Sequence, residues 1–172
     1  MKKILALALV LVMLSATSCT LLKKEVKTKE NPVKTPENTS KEVVLYYSNK
    51  DASGLFADKI VVPADKADDA LFIAEELLKG PQNEELINVI PEGTKVNSCV
   101  VSDGLCTLDL SREFISKQGT ANEQMAIYSV VNTLCALDSV DEVEFLIDGE
   151  SVMIFGSYIF DEPFSADDTM IR

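Results

Sequence analysis

The sequence predicts an α+β fold, a two-layer sandwich with a mainly antiparallel sheet and two amphipathic helices on one face. Three observations carry that reading. Apolar residues recur at spacings of three and four in residues 67–78 and 127–135. Alternating segments are joined by Asp103-Gly104 and Asp148-Gly149, pairs suited to two-residue type I′ turns. A β-branched and aromatic run precedes them, which gives the order strands, helix, hairpin, helix, hairpin.

Val43-Val44-Leu45-Tyr46-Tyr47 and Lys59-Ile60-Val61-Val62 are the first two expected strands. The loop between them holds Asn49-x-Asp51-x-Ser53-Gly54, which mimics the first half of an EF-hand calcium loop. Ile60 stands where that loop needs a bidentate glutamate, so an ordinary hairpin loop is expected and no metal site. A helix should start with Asp65 as its N-cap and Asp68 and Asp69 in its first turn, favourable to the dipole. Ala67, Ala70, Leu71, Ala74, Leu77 and Leu78 form its stripe, and Gly80-Pro81 ends it. The pairs Asp68-Asp69 and Glu75-Glu76 are adjacent in sequence and do not share a helix face, so they read as solvated surface.

Ile90-Pro91-Glu92-Gly93 is a turn feeding the next hairpin. A two-residue turn at Asp103-Gly104 pairs Val101 with Cys106, Cys99 with Leu108 and Asn97 with Leu110. Cys99, Val101, Cys106, Leu108 and Leu110 then share the core face. Thr120-Ala121-Asn122-Glu123 reads as a capping box opening a helix to about Leu137, with Ile127, Tyr128, Val131, Leu134 and Cys135 buried. Residues 143–147 should pair with 151–155, placing Val143, Phe145, Ile147, Val152 and Ile154 on one face. The tail after Gly156 is acidic and less regular.

Ahead of this domain, Met1-Lys2-Lys3 and the apolar run 4–14 have the layout of a secretory signal, too short for a comfortable bilayer anchor. Ala16-Thr17-Ser18-Cys19 resembles a lipobox, with Ala16 where Leu is commonest. A cysteine directly after small residues favours lipidation of Cys19 over plain secretion with a free thiol. The expected organisation is therefore a signal peptide over 1–18, a lipidated Cys19 and flexible tether over 19–42, and a domain over 43–172. Acyl chains such as palmitate on Cys19 would hold the protein to the extracytoplasmic face of the cell membrane.

With no histidine in 172 residues, Ser-His-Asp and Cys-His catalysis and imidazole-bound zinc are excluded. The net charge of −12 argues against nucleic acid, since phosphate binding needs clustered Lys and Arg. Cys99, Cys106 and Cys135 can gather as a three-thiolate metal or redox site, or as three small buried hydrophobes. The second reading is preferred, because no Cys-x-x-Cys spacing or fourth ligand accompanies them. No cofactor motif and no acid–base carboxylate pair stands out, so no enzyme is expected.

The order of motifs resembles the GerMN domain family, whose name comes from spore formation and germination. The resemblance runs through Val44-Leu45-Tyr46-Tyr47, Glu76-Leu77-Leu78-Lys79-Gly80-Pro81 and Ile90-Pro91-Glu92-Gly93-Thr94. It continues through Asp103-Gly104, Leu108-Asp109-Leu110-Ser111, Phe114, Asn132-Thr133-Leu134 and Val140 with Val143. Phe145-Leu146-Ile147-Asp148-Gly149 and Glu162-Pro163-Phe164 complete it. The resemblance implies a fold similar to ring-building motifs and a non-catalytic lipoprotein module that meets envelope proteins, including other ring-building-type domains, in a sporulation or germination assembly. The rival expectation is a ligand- or cation-binding sensory accessory module on the cell surface.

Overall fold

In the computed structural model, which describes residues 39–116, 119–152, 154–155 and 158–172, the opening β-branched run is strand β1 (Ser40–Asn49). It pairs antiparallel with β2 (Leu55–Pro63), from Ser40 opposite Pro63 to Ser48 opposite Leu55. Alternation buries Val43, Leu45, Tyr47, Ile60 and Val62 and leaves Val61 in solvent. A short β3 (Leu86–Ile87) pairs with the far end of β1, which makes the sheet order β2-β1-β3.

Helix α1 spans Ala70–Leu78, and its N-cap is Asp69 rather than the expected Asp65. Residues Ala64–Lys66 form a separate 3-10 turn, and the Asp69 carboxylate accepts from the Phe72 N–H. Lys66 sits 2.6 Å from that carboxylate and holds its pKa below the usual carboxylate range, so the cap is fixed from both sides. The buried stripe is Ala70, Ile73, Ala74 and Leu77, whereas Leu71 is exposed. Gly80, at φ 93°, ends the helix as expected. The buried Tyr47 hydroxyl donates to the Leu77 carbonyl at 3.0 Å and ties the helix end to β1.

Strands β4 (Val96–Ser102) and β5 (Leu105–Leu110) form the hairpin set by Asp103-Gly104. Val101 faces Cys106 and Cys99 faces Leu108 as expected, but a bulge between Val96 and Ser98 makes Val96, not Asn97, the partner of Leu110. Helix α2 (Thr120–Leu134) then carries the chain to β6 (Glu142–Ile147), which lies parallel to β5. The turn signals in the sequence predict only hairpins here. A helical crossover returns the chain to the starting end of β5, and that makes the pairing parallel.

The second Asp-Gly turn joins β6 to β7 (Glu150–Ser151), which pairs only with Leu146 and Ile147. Beyond it, β8 (Ile154–Phe155) pairs with β9 (Tyr158–Ile159) in a separate ribbon, and Ile154 is exposed instead of joining the core face. Strand β10 (Phe164–Ser165) pairs with Val143 and Glu142, giving the order β10-β6-β5-β4. The expected irregular tail is thus structural: Phe160 and Phe164 pack on Phe145 at centroid distances of 5.3 and 5.6 Å, and the Arg172 N–H reaches the Leu55 carbonyl.

Helix α2 departs most from its expected form. Its N-cap is Gly119, and the Glu123 N–H bonds the Gly119 carbonyl, so the expected Thr120–Glu123 capping box is not the start. Its end is Leu134, short of Leu137. Burial covers Ala126, Ile127 and every residue from Ser129 to Leu134, not one stripe, while Tyr128 and Cys135 are half-buried. The cause is that α2 packs on β1 and β2 as well as on β6 and β10. Its small polar residues serve that second contact: Ser129 donates to the Tyr46 carbonyl at 2.6 Å, and the Tyr46 N–H donates to Thr133 Oγ1 at 2.9 Å. Helix α1 packs on α2 and β4, so the fold is α+β with mostly antiparallel strands and the β5–β6 pair as the exception.

Candidate functional site

The register set by Asp103-Gly104 puts Cys99 and Cys106 diagonally across β4 and β5 on one face. Their sulfurs are 3.4 Å apart, with Cys106 fully buried and Cys99 half-buried. The hydrogen bond from Cys106 holds the Cys99 thiol below its ordinary range, against burial and the nearby Asp69 carboxylate. Cys106 is pushed the other way by the same bond and by its own burial. Cys135, the C-cap of α2, donates to the Asp141 carbonyl at 3.4 Å, and burial pushes its thiol up to about 11. It lies close enough to raise Cys106 further. Among the described residues, no group of three or more Cys, Asp or Glu is arranged to hold a metal ion.

The calcium-like loop closes on itself. The Asn49 carboxamide accepts the Ser53 N–H at 3.0 Å and donates to Ser53 Oγ at 2.9 Å, leaving Asp51 exposed. A cavity of about 540 Å³ beside it is lined by Lys50 and Arg172 as well as Asp51 and Glu85, so its charge is balanced. The adjacent acids of the first helical stretch have structural tasks too. Asp69 caps α1, and Asp68 accepts from the N–H and hydroxyl of Ser139, both at 3.2 Å.

Two features escaped the sequence reading. Asp109 is a buried carboxylate that accepts the Gly149 N–H at 2.9 Å and the Asn97 amide at 3.4 Å, joining the two Asp-Gly hairpins. Its signal was a charged residue inside an apolar strand. The other feature is the identity of two sheet edges, β2 beyond its bridge from Leu55 to Ile171 and β4, where Val61 is 71% and Val100 61% exposed. The β8–β9 ribbon adds exposed Ile154 and Ile159. Cys19, the expected lipidation site, lies outside the described residues. No helix among the described residues is long and apolar enough to cross a membrane.

Residues 44–153 match the family model Germane, described as sporulation and spore germination. The chain belongs to the Germane family. No curated protein matches the sequence. Among solved structures, the tandem GerMN domains of the sporulation protein GerM from Bacillus subtilis are similar at TM-score 0.61 and 24% identity. That match covers 74% of this chain and 45% of the tandem chain, so the chain spans less than half of it. The first GerMN domain of the same protein matches at TM-score 0.54 and 25% identity, over 74% of this chain and 96% of that one. A candidate lipoprotein from Clostridium perfringens matches at TM-score 0.54 and 24% identity, over 73% and 87% of the two chains. The Germane chain thus carries a GerMN-type fold.

Proposed function

We propose that this Germane protein is an extracytoplasmic lipoprotein, anchored through Cys19, whose domain over 43–172 is a non-catalytic interaction module in an envelope assembly serving sporulation or germination. The observation that carries the reading is that β2 and β4 are sheet edges, each presenting an exposed valine, Val61 and Val100, with β2 bridged by the C-terminal tail only at Leu55. An edge of this kind can accept a strand from a partner. The similarity to GerMN domains and to the Clostridium perfringens candidate lipoprotein supports the setting. Cation capture at Asp51 has less support, because Lys50 and Arg172 line the same cavity.

The test is in-cell photo-cross-linking of the full-length protein with a reactive side chain at position 61 or 100. Recovery of one or two defined envelope proteins, lost in the Cys19→Ala form, is the expected result. Recovery of nothing above background from either edge would overturn the interaction reading, and recovery unchanged by Cys19→Ala would overturn the anchor.

A further inference from the structure

We propose that Cys99 and Cys106 form a redox-active dithiol that takes a disulfide as its substrate, with Cys99 as the attacking sulfur and Cys106 as the resolving one. The geometry sets the roles. The two sulfurs are in contact at 3.4 Å, and closing them to a bond of about 2.05 Å needs only a small shift. Strand β4 can supply that shift, because it is a sheet edge with a bulge two residues before Cys99. Cys99 is reachable from solvent and Cys106 is not. The hydrogen bond between them favours a thiolate on the reachable member. Cys135 takes no part, since its thiol is committed to the Asp141 carbonyl.

The exchange balances without any further reagent. The Cys99 thiolate attacks one sulfur of the incoming disulfide, forming a mixed disulfide and expelling the other half as a thiolate. The released thiolate takes a proton from water. Cys106 attacks the Cys99 sulfur, the Cys99–Cys106 bond forms, and the proton of Cys106 passes to the second half as it departs, so that it leaves as a thiol. Two protein thiols are oxidised by two electrons and one disulfide is reduced to two thiols. A diagonal cross-strand bridge is held off its preferred geometry, so the product is readily reduced again. Its formation staples edge strand β4 to β5, beside Val100.

The probe is oxidised glutathione added to the folded, full-length protein, with the fragment over 96–112 read by mass spectrometry, since trypsin leaves both cysteines on it. The expected result is loss of two hydrogens from that fragment, reversed by reduced glutathione. In Cys106→Ser, glutathione should stay trapped on Cys99 at least ~10-fold faster than on Cys135. In Cys99→Ser, Cys106 should stay unmodified while the fold is intact. A second measurement needs no variant: brief alkylation of the native reduced protein should label Cys99 at least ~10-fold faster than Cys106. A fragment that stays a dithiol in excess oxidised glutathione would overturn the proposal. So would equal labelling of the two cysteines in the native protein.

Discussion

The two Asp-Gly hairpins begin alike and end differently. Asp103 and Gly104 sit at φ 51° and 86°, and Asp148 and Gly149 at 51° and 81°, so both turns have the left-handed pair that a type I′ reversal needs. The first opens a ladder from Ser102–Leu105 back to Val96–Leu110, whereas the second supports only two pairs. The difference lies in β6, not in the turn. Strand β6 is paired along its whole length with β5 on one side, and β10 claims Glu142 and Val143 on the other. Glu144 to Ile147 remain on that side, and β7 takes Leu146 and Ile147 of them. A turn sequence fixes the local reversal, and the rest of the sheet limits how far the ladder can run, because β10 holds the far end of β6.

The sharpest way to break the resemblance is at the two glycines. A side chain at Gly104 would collide with the Asp141 carboxylate, while one at Gly149 meets nothing within 4 Å. Retreat at position 104 is blocked, because its carbonyl accepts the N–H groups of Asp141 and Glu142 at 2.7 and 3.2 Å. Both positions carry the strain of positive φ. Gly104→Ala should therefore lower stability by about 2–3 kcal/mol and Gly149→Ala by about 1 kcal/mol in urea unfolding. Equal losses would mean that the Asp141 contact does not distinguish the turns.

A somewhat smaller effect is expected where the hairpins are joined. Asp109→Ala leaves the Gly149 N–H without its carboxylate acceptor and should cost about 1–2 kcal/mol. Asp109→Asn keeps an oxygen for that N–H and should cost less. The discriminating readout is amide hydrogen exchange at Gly149, which should rise in Asp109→Ala while exchange at Gly104 stays unchanged. Exchange rising at both glycines would show that Asp109 supports the sheet generally and not the second turn.

What the sequence could reveal follows the same division between local and distant causes. The stop at Gly80, the Val101–Cys106 register and both type I′ turns depend on residues within a few positions of each other, and they were legible. The parallel β5–β6 pairing, the strand-forming tail and the burial of α2 on more than one face depend on segments far apart in the chain. The polar residues Ser129, Asn132 and Thr133 lie outside the expected buried stripe of α2. They are buried because β1 and the Asp167 backbone supply their partners. For the candidate site, the diagonal placement of Cys99 and Cys106 could be read from the register. Their contact could not, because it depends on the twist and bulge of an edge strand.

The smallest expected effect separates the hairpins by pH. The first has Cys106 in it and Cys135 nearby, while the second has no cysteine. Burial raises Cys135 from its ordinary 9.0 to about 11 in the folded protein, and Cys106 moves in the same direction. An acid with a raised folded value favours the fold while it is protonated in both states. That contribution is present below the unfolded value and is lost as pH rises through the folded one. Cys99 moves the opposite way, so its contribution grows as pH climbs towards its ordinary value and is complete there. Above about pH 9 the balance is a loss. The urea midpoint should fall between about pH 9 and about pH 10, and fall less in Cys135→Ala. The raised hydroxyls of Tyr47, Tyr128 and Tyr158 add a loss of the same sign from near their ordinary value of 10.0, and Cys135→Ala retains all three, so the difference between the two proteins isolates the thiol. An equal fall in wild type and Cys135→Ala would place the alkaline loss on Cys106 or elsewhere, and Cys106→Ala would then decide between them.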